Sequence, residues 1–119
     1  MTQQPSDQAA LAAALVGIWL VDLRPTPDAA PYVQPFQILS VAGNTFTGTF
    51  YGAPIRSAFI NSSWGEVVIG FLSEDGSGTY FHSARLVDGR LIGASLSPGR
   101  QFLMVWRAER APDAPDRAV

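Results

Sequence analysis

The stretch from Thr79 to Glu109, TYFHSARLVDGRLIGASLSPGRQFLMVWRAE, limits the fold more than any other part of the chain. Asp88-Gly89 is a strong two-residue hairpin signal, because both central positions of a type I′ turn need positive φ. Ser97-Pro98-Gly99-Arg100 is a second turn, where Pro presets φ and Gly tolerates a positive one. The segment reads as three consecutive antiparallel strands.

A register follows from those turns. With Asp88 and Gly89 as the loop, Val87 faces Arg90, Leu86 faces Leu91, Ala84 faces Gly93 and His82 faces Ser95. Across the second turn, Ser95 is expected to face Phe102, Gly93 to face Met104 and Leu91 to face Trp106. One side of this meander then carries Tyr80, His82, Ala84, Leu86, Leu91, Gly93, Ser95, Phe102, Met104 and Trp106. Its large aromatics stand among small residues, as a tapered closed interior requires. The other side carries Arg85, Arg90 and Arg107 and is read as outside. A slip of one residue would reverse the assignment, because side chains alternate with period two.

The chain in order supplies five more strands. A short alanine-rich helix is expected from Gln8 to Leu15, capped by Ser6 or Asp7 and stopped by Gly17. Ile18–Leu23 reads as the first strand. Three prolines between Pro25 and Pro31 exclude regular structure there and leave an extended loop or flap. Pro35–Val41, Thr45–Tyr51, Ile55–Ile60 and Val67–Leu72 follow as strands separated by turn residues. Eight short strands joined by short turns, with no room for crossover helices, indicate an all-β fold. The expected architecture is an eight-stranded antiparallel up-and-down barrel with a short N-terminal helix, a form that leaves no open sheet edge. The organisation is a tail and helix over residues 1–16, the barrel over 17–110 and a disordered tail over 111–119.

Composition narrows the chemistry. The 119 residues include no cysteine, and all eight basic residues are arginine. Disulfides, thiol nucleophiles, Cys-zinc sites and Schiff-base lysines are therefore excluded. A net charge of −2 with scattered arginines argues against nucleic-acid binding. The apolar run Ala9–Val21 is too short to span a bilayer and lacks a basic flank, so no membrane partner is expected. The chain reads as soluble and cytoplasmic, although the absence of cysteine suits secretion equally.

Two motifs resemble those of lipocalin/avidin-like, or calycin-type, eight-stranded barrels. Gly17-Ile18-Trp19 is similar to the G-x-W that opens such barrels. Phe46-Thr47-Gly48-Thr49-Phe50 is similar to the avidin-type L-T-G-T-Y on the third strand. The resemblance implies a Trp19 floor with an arginine from the last strand, Arg107 or Arg110, stacked over it. It also has departures. Phe50 stands where avidins have a ligand-contacting Tyr, no Asn and Ser pair follows Trp19, and His82 rather than Ser83 faces inward. The fold is carried over by analogy and the avidin ligand is not.

Phe36, Phe50, Tyr80, His82, Ser95, Phe102, Met104 and Trp106 are the candidate ligand-binding residues, an apolar and aromatic lining with few polar groups. The same residues would equally suit a filled core. The expected function is binding of a small apolar or aromatic molecule at a mouth lined by Tyr80, His82, Phe50 and Trp106. One alternative is an isomerase or cyclase with His82 as general base; another is a solid barrel acting as an interaction module. His82 is the only histidine, so no multi-histidine metal site is possible, and no cofactor is expected. The outward residues Ile92, Ala94, Leu96, Leu103 and Val105 would form one apolar patch on the seventh and eighth strands, so a homo-oligomer through those strands is expected.

Overall fold

A computed structural model describes residues 8–112. One helix, α1 (Gln8–Leu15), precedes β1 (Gly17–Asp22), β2 (Val33–Ala42), β3 (Thr45–Phe50), β4 (Ala53–Pro54), β5 (Arg56–Asn61), β6 (Val68–Asp75), β7 (Gly78–Val87), β8 (Arg90–Ser97) and β9 (Phe102–Arg110). Neighbours run in the order β2-β1-β9-β8-β7-β6-β5-β3, and β2 pairs back to β3, so the sheet closes. Every pairing is antiparallel. This is the expected eight-stranded up-and-down barrel, with the two-residue β4 folded back on β3 as an extra strand. The expected cap at Ser6 or Asp7 and residues 113–119 of the expected tail lie outside the described residues.

The β7–β8 hairpin forms on Asp88 and Gly89, with φ of 52° and 78°. Its register is the expected one, His82 opposite Ser95 and Ala84 opposite Gly93. The β8–β9 register differs from expectation by two residues: Ser97 faces Phe102, Ser95 faces Met104, Gly93 faces Trp106 and Leu91 faces Ala108. The loop is four residues long, because a type II turn on Pro98-Gly99 splays the strands. Instead Gln101 N donates to Pro98 O at 3.2 Å and Gln101 takes a positive φ of 59°. A shift of two preserves facing, so the interior side of the meander is as expected, with His82, Ala84, Leu91, Ser95 and Trp106 buried.

The barrel seam lies between β3 and β5. A single ladder pair, Thr45 with Phe59, joins them, flanked by Ile60 N→Asn44 O at 2.7 Å and Ile55 N→Gly48 O at 3.2 Å. Ser57, at φ 52°, sits where the β5–β6 register shifts. This bulge lets Ile55 pack on the core although Ala58 and Ile60 are the inward residues of β5.

One end of the barrel is plugged. Leu11 and Leu15 of α1 are buried against it. The carbonyls at a helix C-terminus have no partner within the helix. Here Arg110 Nη1 donates to Val16 O at 2.6 Å, and Nη2 donates to Ala13 O at 2.9 Å and Ala14 O at 2.6 Å. Trp19 Nε1 donates to Leu15 O at 2.9 Å. The Arg110 guanidinium lies 4.7 Å from the Trp19 ring centroid. Gly17, at φ 141°, makes room for this clamp, since a Cβ there would sit 2.6 Å from Arg110 Nη1. Above the plug, Trp19, Phe36, Phe46 and Phe71 fill the interior; Phe36 stacks on Phe71 at 4.8 Å and Phe46 meets Phe71 edge-on at 5.9 Å.

Arg110→Ala removes the cation that caps α1. The melting temperature should fall by on the order of 5 °C, with Trp19 becoming accessible to acrylamide. An unchanged melt and unchanged quenching would show that the helix plug holds without the clamp.

Candidate functional site

The other end of the barrel is open. The turns after β1, β3, β6 and β8 meet there around a cavity of ≈ 580 Å³. Phe50, Tyr80, His82, Ser95, Phe102 and Met104, six of the residues singled out from sequence, line it. Phe36 and Trp106 do not. Phe36 is fully enclosed in the plugged half. Trp106 is also buried, with its ring over Gly93, where a Cβ would meet it at 2.5 Å. The expectation of Trp106 at the mouth is therefore corrected: Trp106 stands further along β9 from the open end than Phe102 and Met104 and is enclosed there.

Three adjacent strands place the polar centre of the cavity. Phe71 on β6 pairs with His82 on β7, and His82 pairs with Ser95 on β8. Ser73 follows Phe71 on the same inward face. The His82 imidazole lies between two hydroxyls, with Nε2 2.8 Å from Ser73 Oγ and Nδ1 2.7 Å from Ser95 Oγ. Trp106 Nε1 donates to Ser95 Oγ at 2.8 Å. Aromatic rings enclose the imidazole: Phe71 stacks on it at 4.6 Å, Phe50 lies at 4.4 Å and Tyr80 is parallel at 6.1 Å. Burial pushes the His82 pKa down to about 4, so the ring is neutral at pH 7. Among the described residues no carboxylate is bonded to it.

Charged groups stand at the rim. Tyr80 OH donates to Asp75 Oδ2 at 2.9 Å and receives Arg100 Nη1 at 3.2 Å. Ser77 donates to Asp75 Oδ1 from its hydroxyl and backbone N–H, at 2.6 and 2.8 Å, which holds the Asp75 pKa below its usual value. Arg100 lies 5.0 Å from the Phe102 ring centroid. Across the mouth, Asp22 clamps the proline-rich loop. It pairs with Arg24 at 2.6 Å and accepts the backbone N–H of Arg24 and Tyr32. The Arg24 hydrogen bond, helped by those N–H groups, takes the Asp22 pKa down to about 2. Glu66 pairs with Arg85 on the outside at 3.5 Å.

Ser73 is the most consequential residue that sequence reasoning missed. The fifth expected strand ended at Leu72, whereas β6 continues to Asp75. The signal was present in the inward alternation Ile69, Phe71, Ser73. Arg100, Tyr32 and Tyr51 reach the cavity from turns and loops, where side-chain period carries no information. Among the described residues no group of three or more His, Cys, Asp or Glu is arranged to hold a metal ion, and no helix is long and apolar enough to cross a membrane. In comparisons with known proteins, no family model, curated sequence or solved structure matches the chain.

His82 generates a pH window for stability. Its folded pKa, about 4, lies below the unfolded value of 6.5. The unfolded chain therefore binds more protons between them, and stability falls as pH drops from 6.5 toward 4, by about 3 kcal/mol in all. Asp22, Glu74 and Asp75, whose pKa values are lowered, lose their contributions at lower pH, below their ordinary values of 3.8 to 4.5. Denaturant titrations should show this upper slope in the wild type and not in His82→Gln. Identical slopes in the two proteins would mean that His82 does not titrate as a buried neutral group.

Proposed function

We propose that this protein binds a small, largely apolar or aromatic molecule in the open half of its barrel. The observation that carries the reading is the ≈ 580 Å³ cavity, with aromatic walls and a few convergent polar groups at its inner end. Ligand sites of this volume and lining are common in the mouths of barrels. The likeness of Gly17-Ile18-Trp19 and Phe46–Phe50 to lipocalin/avidin-like barrels supports it at the level of fold, as does Arg110 stacked on Trp19. The chemistry of His82 supports binding over the isomerase or cyclase alternative. A base with a pKa near 4 is a weak proton acceptor at neutral pH, and no carboxylate is bonded to the ring to stabilise its cation.

The outer face supports a second element of the reading, self-association through β8 and β9 and the strands beside them. Two outward rows cross the sheet. Leu72, Phe81, Leu96 and Leu103 are direct neighbours on β6 to β9. Phe59, Gly70, Ser83, Ala94 and Val105 are direct neighbours on β5 to β9. Phe59, Phe81, Leu96, Leu103 and Val105 are all exposed, Leu103 and Val105 by 68% and 71%. These two rows measure roughly 24 Å by 13 Å from strand and residue spacings, and the next row alternates Val68 and Ile92 with Arg85 and Arg107. A polar rim brings such a face toward the about 800 Å² per partner of a standard interface. Phe59 and Val105 project at either end of a low centre, Gly70-Ser83-Ala94. An isologous two-fold contact would set this face of one copy against the same face of another, so the occupant is a second copy of this chain.

A hydrophobic naphthalene dye should bind one site per barrel and quench tryptophan fluorescence. Met104→Trp, which fills the cavity, should weaken binding at least about tenfold, a loss of roughly 1.4 kcal/mol, while Leu103→Glu on the outside leaves it unchanged. Binding insensitive to Met104→Trp would place the dye elsewhere and sink the cavity reading. For the outer face, light scattering should find a dimer in the wild type and a folded monomer in Leu103→Glu/Val105→Glu. A wild type that is monomeric at high micromolar concentration would end that proposal.

A further inference from the structure

The hydrogen count around His82 says more about the ligand. Trp106 Nε1–H, the Ser95 hydroxyl, the neutral imidazole and the Ser73 hydroxyl bring four hydrogens to three contacts. Indole only donates, so Ser95 Oγ accepts from Trp106. With the imidazole hydrogen on Nε2, Ser95 donates to Nδ1, Nε2 donates to Ser73, and the Ser73 hydrogen is left over. With that hydrogen on Nδ1, Ser95 Oγ accepts twice, Ser73 donates to Nε2, and the Ser95 hydrogen is left over. An imidazolium would add to the surplus. Neither hydroxyl has another hydrogen-bond partner among the described residues. Both serines line the cavity and are more than nine-tenths buried, at 6% and 3% exposed.

Resting on the reading of the cavity as a small-molecule site, we infer that its ligand is a flat, uncharged aromatic compound carrying a carbonyl-type acceptor, which seats against the Ser73–His82–Ser95 relay. An unpaired donor in a buried site favours a ligand that brings an acceptor over an isosteric one that does not. The acceptor is neutral because the charged residues of the site, Glu74, Asp75 and Arg100, are all exposed at the rim. A carboxylate at the inner end would be buried without a cation. The body is flat because Phe50, Tyr80 and Phe102 present ring faces and edges, which favour stacked or edge-on aromatic partners. The relay adapts to either end of the acceptor's approach, since moving the imidazole hydrogen from one nitrogen to the other moves the spare donor between Ser73 and Ser95.

Two probes separate this inference from the reading beneath it. One is 2-(dimethylamino)naphthalene; the other is its 6-propionyl ketone, whose emission reports hydrogen bonding to the carbonyl. The wild type should bind the ketone about tenfold tighter than the arene, with the bound ketone's carbonyl infrared band shifted down as for a hydrogen-bonded carbonyl. Ser73→Ala passes the spare hydrogen to His82 Nε2 or leaves it on Ser95, so it should keep the preference for the ketone, whereas Met104→Trp, which fills the cavity, should weaken binding of both probes. Equal wild-type affinities with an unshifted carbonyl band would overturn the donor inference and leave the cavity reading standing. Failure of both probes to bind would overturn the cavity reading and the inference with it.

Discussion

The guanidinium of Arg110 ties together the three parts of the chain that must meet for the barrel to have a closed end. It is delivered by the last strand, it caps carbonyls of α1, and it lies over the indole of the first strand. A helix of eight residues is too short to persist alone in water. Its carbonyl end is held by Arg110 and Trp19, and its apolar side by the barrel interior. In return the helix removes that interior from solvent. Gly17 belongs to the same interaction, because its missing side chain is the space the guanidinium occupies.

Closing one end and not the other makes the interior unequal along its axis. Near α1 the inward positions are large: Trp19, Phe36, Phe71 and Trp106. Towards the open end the strands contribute Ser73, His82 and Ser95 together with Phe50, Tyr80, Phe102 and Met104, and Tyr32 and Tyr51 join them from the loops. The barrel is thus neither solid nor hollow. Its lower half is a packed aromatic core, and its upper half is a cavity whose base is polar. Histidine is tolerated there because both ring nitrogens meet hydroxyls, so desolvation lowers its basicity without leaving either nitrogen unpaired.

Much of this was legible in the sequence, for a physical reason that also explains the errors. Facing in a strand depends only on parity, and parity survives a two-residue change in loop length. His82, Ser95, Phe102 and Met104 could therefore be assigned to the interior although the β8–β9 register was misjudged. Depth along the barrel axis follows distance from the turn rather than facing, so Trp106, beyond Phe102 and Met104 on β9, was assigned to the mouth and lies deeper. Parity also fails where a bulge intervenes. Ser57 takes a positive φ that nothing in its neighbours announces, and it allows Ile55 and Ala58 to face the same way. Ser73 was overlooked for a different reason. Ser-Glu-Asp-Gly reads as a loop by composition, whereas the ladder to Thr79 and Tyr80 extends the strand through it.

The outer wall obeys a different constraint from the inner one. A barrel that needs its outside only for solvation would place charged side chains along β6 to β9, as it does at Arg85 with Glu66 and at Arg90 with Glu109. Between those pairs the outward row Leu72, Phe81, Leu96 and Leu103 is apolar over four successive strands, and the next row sets Phe59, Ala94 and Val105 around Gly70 and Ser83. A single misplaced leucine is ordinary on a protein surface, but apolar neighbours aligned across four hydrogen-bonded strands are not independent accidents of composition. The inward partners of the same strands carry the relay, Ser73, His82, Ser95 and Trp106. Any restraint on the outer rows is transmitted through one backbone layer to the groups that set the donor at the cavity base. The wall that would meet another copy of the chain is thus the wall that holds the polar centre of the site.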